Sequence, residues 1–169
     1  MNNNIILGFV DNSFKLAEEF GIKTYKYITA GVLLMNLKKM RKENISQKLF
    51  DFIDNNKKKL KQEDQTVLNI VLHGRIDLLP PQFGMWNFVN KDALISHNNY
   101  GDRNLKITAY KYEEILNAWR MPTIIHFVRA KPWKKKTRYT HVYFHEKWWE
   151  YAKKTDEYHN IERYYGGKK

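Results

Sequence analysis

The sequence predicts an α/β domain in which helices flank a mostly parallel sheet. An apolar run from Ile5 to Val10, a helical segment from about Phe14 to Phe20 closed by Gly21, and a second apolar run within Tyr27–Leu37 follow one another along the chain. This strand, helix, strand order is typical of α/β folds. The second run is continuous and bounded by Gly31 and by charge, which predicts a strand buried on both faces of the sheet.

The remaining elements continue this alternation. We predict helices at residues 47–60, 62–72, 112–119 and about 140–155, and strands at residues 75–79 and 123–127. Ser46 is the predicted cap of the first of these helices. Residues 82–90 show no clear period and are predicted to form a loop, while residues 91–110 are polar and give no prediction. We expect one domain over residues 1–155 and a basic, aromatic tail over residues 156–169.

Composition and charge limit the classes of function. A hydrophobic content of 43% argues against a disordered chain, and a net charge of +12 favours an anionic partner: nucleic acid, anionic lipid or a phosphorylated small molecule. The absence of cysteine excludes disulfides and thiolate metal sites. No apolar run reaches the roughly 20 residues that span a bilayer, and no signal peptide is recognisable, so we predict a cytoplasmic protein.

Two side chains near the end of the predicted strand at residues 123–127 are candidates for ligand binding. His126 would stand at the edge of an open sheet where ligands bind, and a neutral imidazole there can ligate a divalent cation; a hydrogen-bonded core histidine is the alternative. Lys131 precedes Pro132 in a turn and suits a diphosphate as a point charge, or is an exposed loop lysine.

The helix at residues 62–72 and the small pair Ala30-Gly31 give further candidates. Asp64 and Gln65 stand at the helix start, where a carboxylate also serves as an N-terminal cap. Ala30 and Gly31 lack bulky side chains, so either a packed neighbour or a ligand can approach the backbone there.

Five blocks of the sequence resemble glycosyltransferase family 8. Residues 27–41 read Tyr-Ile-Thr-Ala-Gly-Val-Leu-Leu-Met-Asn-Leu-Lys-Lys-Met-Arg and resemble the family signature Phe-Asn-Ala-Gly-Val-Leu-Leu-Ile-Asn-Leu-Lys-Lys-Trp-Arg. Four further blocks follow in the family's order, at residues 63–69, 78–83, 122–133 and 148–152. Together they cover roughly residues 5 to 155.

The resemblance implies a GT-A type fold, with a mixed sheet flanked by helices, and a retaining hexosyltransferase. The donor would be a UDP-sugar, the acceptor a glycan or lipopolysaccharide, and the cofactor Mn²⁺ or another divalent cation. His126 corresponds to a family ligand of that cation, which shares it with the carboxylates of an Asp-x-Asp motif. Lys131 corresponds to the lysine that stabilises the departing nucleoside diphosphate.

The same resemblance assigns roles around the donor sugar. Asp64 would hold a sugar hydroxyl and Gln65 would approach the anomeric carbon, while Ala30 and Gly31 would bring backbone against the sugar. Asp11, at the end of the first strand, is a weaker candidate for contacting the sugar or the acceptor.

Three departures from the family pattern affect these expectations. Thr29 replaces the family's asparagine and has a shorter side chain. Arg129-Ala130 replaces Gly-Pro before Lys131, and Arg129 either binds phosphate itself or blocks the loop. The sequence contains no Asp-x-Asp, so we expect the chain to be the C-terminal half of a family domain that lacks the nucleotide-binding unit. Such a chain is expected to be inactive alone and to bind Mn²⁺ weakly or not at all.

Two other functions compete with this interpretation. Tryptophan and tyrosine lie among lysines from Lys131 onward, a pattern that also occurs in proteins that bind single-stranded nucleic acid, although no recognition motif is legible. The cluster Lys134–Arg138 followed by Trp148, Trp149 and Tyr151 suits an anionic membrane surface. An aromatic helix packed on the sheet is the other explanation of these tryptophans.

Overall fold

The structure, a computed structural model, describes residues 4–10, 15–24, 26–61, 63–87, 110–128, 131–133 and 144–163. Within these ranges the strands are β1 (Ile6–Val10), β2 (Ile28–Met35), β3 (Ile76–Leu78), β4 (Met85–Trp86) and β5 (Ile125–His126). The helices are α1 (Lys15–Glu18), α2 (Leu37–Lys42), α3 (Ile45–Asn56), α4 (Glu63–Val71), α5 (Tyr112–Arg120), α6 (His145–Ala152) and α7 (Tyr158–Ile161), and a 3₁₀ turn spans Pro81–Phe83.

The described strands form two small sheets, of which the first is mixed and the second is parallel. In the first sheet β1 lies between β2, to which it is antiparallel, and β3, to which it is parallel. In the second sheet β4 and β5 are parallel. The predicted α/β class is confirmed, with a mixed sheet rather than a mostly parallel one.

Two apolar clusters hold the sheets and helices together. The first cluster joins β1, β4 and α5, and the second joins β1, β2, α3 and β3. Phe9 of β1 and Trp86 of β4 connect the two sheets, with ring centroids 5.1 Å apart. The buried members of the first cluster are Phe9, Val10, Met85, Trp86, Ile115 and Ala118, and those of the second are Ile5, Ile6, Ile28, Ile45, Leu72 and Ile76.

The expectation that β2 is buried on both faces is wrong. Ile28 at its start is buried, but Leu34 and Met35 at its end are 59% and 37% exposed. Among the described residues only β1 pairs with β2, and the polar contacts that α4 makes with β2 fall on its first residues. The apolar run therefore reflects a half-covered edge of the described sheet.

Several predicted boundaries also change. Helix α3 begins after Asn44, whose left-handed backbone (φ 50°) starts the helix, so Ser46 lies inside the helix and is not its cap. A short strand, β4, lies within the predicted loop at residues 82–90. The sequence does not predict this strand because two residues are too few to show a period. The predicted strand at residues 123–127 contains only β5, and Ile124 beside it is 41% exposed.

The closure of α1 follows the prediction. Gly21 has φ +75°, and the N–H groups of Gly21 and Ile22 donate to the carbonyls of Glu18 and Ala17. This pattern of two hydrogen bonds ends a helix at a residue with a left-handed backbone, a conformation that glycine adopts without steric penalty.

The described part of the predicted helix at 140–155 is α6. Among the described residues, no helix combines the length and the hydrophobicity needed to cross a membrane.

Helix α4 is fastened to β2 by side-chain amides. Asn69 is 2% exposed; its Oδ1 accepts from the Ile28 N–H and its Nδ2 donates to the Ile28 carbonyl, both at 2.7 Å. The Asn69 Nδ2 also donates to the carbonyl of Gln65, one turn earlier. Tyr27 and Thr66 add a hydroxyl–hydroxyl bond of 3.3 Å. These bonds satisfy backbone groups of β2 that would otherwise be buried without partners.

Replacing Asn69 with alanine tests this connection. The N69A variant leaves the N–H and carbonyl of Ile28 unpaired at a residue that is 1% exposed, so we expect the free energy of unfolding to fall by about 2–4 kcal/mol in urea titrations. The matched control is N55A, which removes an exposed hydrogen bond on α3, from the side-chain amide of Asn55 to the backbone carbonyl of Asp51. Equal stability of the two variants would contradict the structural role of Asn69.

Candidate functional site

The backbone of β2 at Ala30 and Gly31 meets the first turn of α4. The Ala30 N–H donates to Oε1 of Gln65 at 3.2 Å. Since Asn69 fixes the next turn of α4 against Ile28, the Gln65 carboxamide is held beside the two small residues. The predicted grouping of Gln65 with Ala30 is therefore present in the structure.

Gly31 is the point at which the imidazole of His126 reaches β2. A Cβ atom built on Gly31 would lie 1.7 Å from Cε1 and 2.3 Å from Nε2 of His126, so the ring occupies the space that any larger residue would need. The backbone angle φ of Gly31 is not positive, so the glycine is required by close approach and not by conformation. The neighbour that approaches is a packed side chain, one of the two alternatives left open by the sequence.

His126 is held at the end of β5 by its backbone. The strand pairs with β4 through Trp86 opposite His126, and the His126 carbonyl accepts from the N–H groups of Asn87 and Val128. Asn87 also accepts the Val128 N–H through its side chain at 2.7 Å. The backbone from His126 to Val128 is therefore fixed to Asn87 by hydrogen bonds at the His126 carbonyl and the Val128 N–H.

The imidazole has a lowered pKa and one nitrogen without a hydrogen bond. Burial lowers the pKa of His126, and the positive charge of Lys131 lowers it further, which favours the neutral form of the ring. Its Nδ1 atom is buried and has no hydrogen-bond partner among the described residues. A neutral imidazole with an unpaired nitrogen is chemically suited to accept a proton, donate a hydrogen bond or ligate a cation.

Lys131 stands beside this histidine. Its ammonium donates to the carbonyl of Phe127 at 2.6 Å, and its side chain is half-buried. Pro132, which follows it, is buried. An ammonium has three N–H donors, so the bond to Phe127 orients the group without using all of them.

Asp64 lies next to Gln65 but serves its own helix. Its Oδ1 accepts from the Gln65 N–H at 2.8 Å, in the first turn of α4, and the side chain is exposed. The first N–H groups of a helix have no partner within the helix, so this bond satisfies one of them. Because α4 begins at Glu63, Asp64 lies inside the helix and is not its N-terminal cap. Its proposed contact with a sugar hydroxyl stays a prediction.

Thr29 points into the protein. It is 6% exposed, and its hydroxyl oxygen accepts from the Gly31 N–H at 3.3 Å. The hydroxyl is therefore engaged within β2, and its predicted contact with the donor sugar stays a prediction. Asp11 and Arg129, the other two candidates, lie outside the described residues.

The described residues do not form a divalent-cation site by themselves. His126 offers one suitable nitrogen, but no group of three or more His, Cys, Asp or Glu side chains in this part of the chain could hold a metal ion. Manganese favours several oxygen ligands, so one imidazole is an insufficient donor set.

Asn69 is the residue of this region whose importance the sequence did not reveal. It lies within the block at residues 63–69 that resembles the family, but the resemblance implies no role for it. Its position four residues after Gln65 places both amides on one face of α4, and an asparagine among Val67, Leu68 and Ile70 is the signal that points to a buried polar contact.

Comparison with known proteins identifies the family. The sequence model of Glycosyl transferase family 8 matches residues 2–137, so the chain belongs to this family. The match begins at residue 2 and does not support the narrower prediction that the chain is only the C-terminal half of a family domain.

Known relatives agree with the family assignment. A probable glycosyl transferase, Gly, of Streptococcus gordonii is 30% identical over 123 residues, which are 72% of this chain and 15% of that protein. A putative glycosyltransferase of Haemophilus influenzae is 35% identical over 80 residues, 47% of this chain and 23% of that protein. The chain thus spans less than a quarter of the length of these two relatives.

Solved structures show the same fold. The galactosyltransferase LgtC in complex with donor and acceptor sugar analogs has a TM-score of 0.67 and 22% identity, over 94% of this chain and 56% of LgtC. Apo GlyE of Streptococcus pneumoniae has a TM-score of 0.58 and 23% identity, over 94% of this chain and 34% of GlyE. The GT-A type fold is therefore confirmed.

The contact between Gly31 and His126 can be tested by a double-mutant cycle. In G31A the new methyl group overlaps the imidazole, and we expect a loss of about 1–3 kcal/mol in the free energy of unfolding, as for other overpacked sites. In an H126A background the space is empty, so the same substitution should change stability by less than about 0.5 kcal/mol. Urea unfolding of the four proteins gives both values. An equal effect of G31A in both backgrounds would contradict the contact.

The electrostatic link between Lys131 and His126 gives a pH prediction. Because Lys131 lowers the pKa of His126, K131M should raise that pKa, while burial should still keep it below the ordinary histidine value. Titration of the His126 ring protons by NMR measures the shift. The control is K147M, on α6, where the lysine pairs with Glu150 and should leave His126 unchanged. A constant or lower pKa in K131M would show that the two groups do not interact.

Proposed function

We propose that this chain forms the donor-sugar and diphosphate part of the catalytic site in a retaining hexosyltransferase that uses a UDP-sugar. The single observation that carries the proposal is the meeting of His126 with Gly31, beside the bond between Gln65 and Ala30. Residues from β2, α4 and β5, three elements far apart in sequence, converge on one strand. Such convergence of side chains from separate elements is typical of ligand sites.

Gln65 is the proposed group facing the anomeric carbon. Its Oε1 accepts from Ala30, so the carboxamide is oriented before a donor arrives, which lowers the entropy lost on binding. One structure of the same fold, with a TM-score of 0.68 and 21% identity, is an active site mutant of LgtC in which glutamine is replaced by glutamate. That finding belongs to LgtC and supports the assignment here by analogy.

Lys131 is the proposed stabiliser of the leaving diphosphate. In the transfer step the bond from the anomeric carbon to the diphosphate oxygen breaks, and a bond to the acceptor oxygen forms on the same face. As the first bond breaks, negative charge grows on the diphosphate, and the half-buried ammonium of Lys131, which is bonded to the Phe127 carbonyl, would stabilise it. The acceptor proton then passes to the departing diphosphate. Arg129 is proposed as a second phosphate contact.

The remaining assignments complete the proposal. Asp64 would bind a sugar hydroxyl, Asp11 would contact the sugar or the acceptor, and three residues of β2 would lie against the sugar: Thr29, Ala30 and Gly31. The acceptor is proposed to be a glycan, with lipopolysaccharide as one such acceptor and an anionic membrane surface nearby. Location in the cytoplasm stays a prediction from the sequence.

In the complete family site the proposed cofactor is Mn²⁺ or another divalent cation, which would neutralise charge on the diphosphate, and weak or absent binding is expected for this polypeptide. Of the described residues, His126 would be its ligand. The sequence has no Asp-x-Asp, so the carboxylate ligands that the family supplies from that motif must come from elsewhere. We therefore propose that the 169-residue polypeptide does not turn over UDP-sugar when it is alone.

Binding and turnover test these proposals separately. We expect UDP to bind the polypeptide, and K131M to weaken that binding about tenfold because a charged hydrogen bond is lost. K147M, a change of charge on α6, should have no effect. Calorimetry with UDP measures the affinities, and release of UDP from UDP-galactose or UDP-glucose with Mn²⁺ measures turnover.

The outcomes are distinguishable. Equal UDP affinity of K131M and the unmodified protein would contradict the assignment of Lys131. Release of UDP by the isolated polypeptide would contradict its proposed incompleteness and would leave the assignment of the site residues intact.

A further inference from the structure

Helix α6 contacts the turn that carries Lys131. The ring of Trp133, two residues after Lys131, lies 5.1 Å from the ring of Trp148 on α6, at an interplanar angle of 44°. The family match ends at residue 137, so Trp148 belongs to a part of the chain that the match does not include. A helix outside the matched region thus packs against a proposed substrate-binding turn.

The start of α6 is anchored independently of this contact. Phe144, the residue before the helix, packs against the first cluster, with its ring 5.4 Å from that of Trp119 on α5. Its backbone is left-handed, with φ 64°, an uncommon conformation for a bulky residue that persists only where the surroundings enforce it. The start of α6 is therefore attached to the core at a point separate from the Lys131 turn.

The ring of Trp148 is fixed on a second side by its neighbour on the helix. Trp149 meets it edge to face, with centroids 4.9 Å apart and an interplanar angle of 89°. The Trp149 Nε1 donates to Nε2 of His145 at 3.1 Å, one turn earlier. Both tryptophans are half-buried, whereas Tyr151 on the same helix is 65% exposed.

We propose that Trp148 is a positioning residue, which holds the Lys131 turn through Trp133 so that the ammonium is presented to the diphosphate. This inference rests on the proposed function of Lys131. The turn is then held at two points, by the hydrogen bond from Lys131 to the Phe127 carbonyl and by the contact between the tilted rings of Trp133 and Trp148. A group fixed before the ligand arrives binds it more tightly, because less freedom is lost on binding.

This role differs from the membrane role that the sequence left open for the same tryptophans. Aromatic side chains that enter a membrane interface present their rings to lipid. The ring of Trp148 instead contacts the rings of Trp133 and Trp149. Within α6, Tyr151 is the exposed aromatic ring, and the ammonium of Lys154 lies 4.7 Å from its centroid.

The test compares UDP affinity in a set of variants measured by calorimetry. We expect W148A to weaken UDP binding about three- to tenfold, the range of coupling between residues in contact, and W148F to restore most of it. Y151A, on the exposed face of the same helix, should bind UDP as the unmodified protein does. In a K131M background W148A should have no further effect, because Trp148 acts through Lys131.

Each result decides between the two proposals. Unchanged binding in W148A, or an equal loss in the K131M background, overturns the positioning role. If K131M itself leaves UDP affinity unchanged, the function of Lys131 is wrong. Circular dichroism checks that W148A is folded; should it unfold, W148L keeps apolar bulk without the ring, and the same comparisons apply. Faster amide exchange confined to residues 126–133 in the folded variant supports the proposal, and unchanged exchange there opposes it.

Discussion

Two side-chain amides on α4 bond to the edge of β2 as a neighbouring strand would. Ile28 and Ala30 are two residues apart, so their N–H groups point to the same edge of the strand. Asn69 pairs with both polar groups of Ile28, and Gln65 accepts from Ala30. Since a buried backbone group without a partner is costly, this edge requires the helix to sit where it does.

The consequence of this constraint is a site with fixed geometry. Once α4 is bound to β2, the Gln65 carboxamide lies beside Ala30, and Gly31 leaves room for the imidazole of His126. The second sheet supplies His126 and, after it, the Lys131 turn. The contact between the rings of Phe9 and Trp86 connects that sheet to the first, so the site depends on the apolar core as well as on its hydrogen bonds.

Most of the secondary structure could be predicted from the sequence, but the contacts at the site could not. Gly21, the run Ile5–Val10 and the apolar face of α4 are local signals, and each was correctly interpreted. The exposure of Leu34 was not predictable, because a continuous apolar run looks the same in a buried strand and in a half-covered one. The contact between Gly31 and His126 joins residues distant in the chain, so no local pattern could indicate it.

The resemblance to the family supplied what local patterns could not, namely that Gln65, His126 and Lys131 belong to one site. Long-range packing brings Gln65 and His126 to Ala30 and Gly31, and the chemical roles of the three residues stay a proposal. The most direct test of this account is NMR mapping of UDP-galactose binding to the 169-residue polypeptide. The account predicts that the shifts concentrate on the amides of Ala30, Gly31 and Lys131 and on the ring of His126. Shifts confined to the lysine-rich segments at α2 and at residues 57–59, with these groups unaffected, would contradict it.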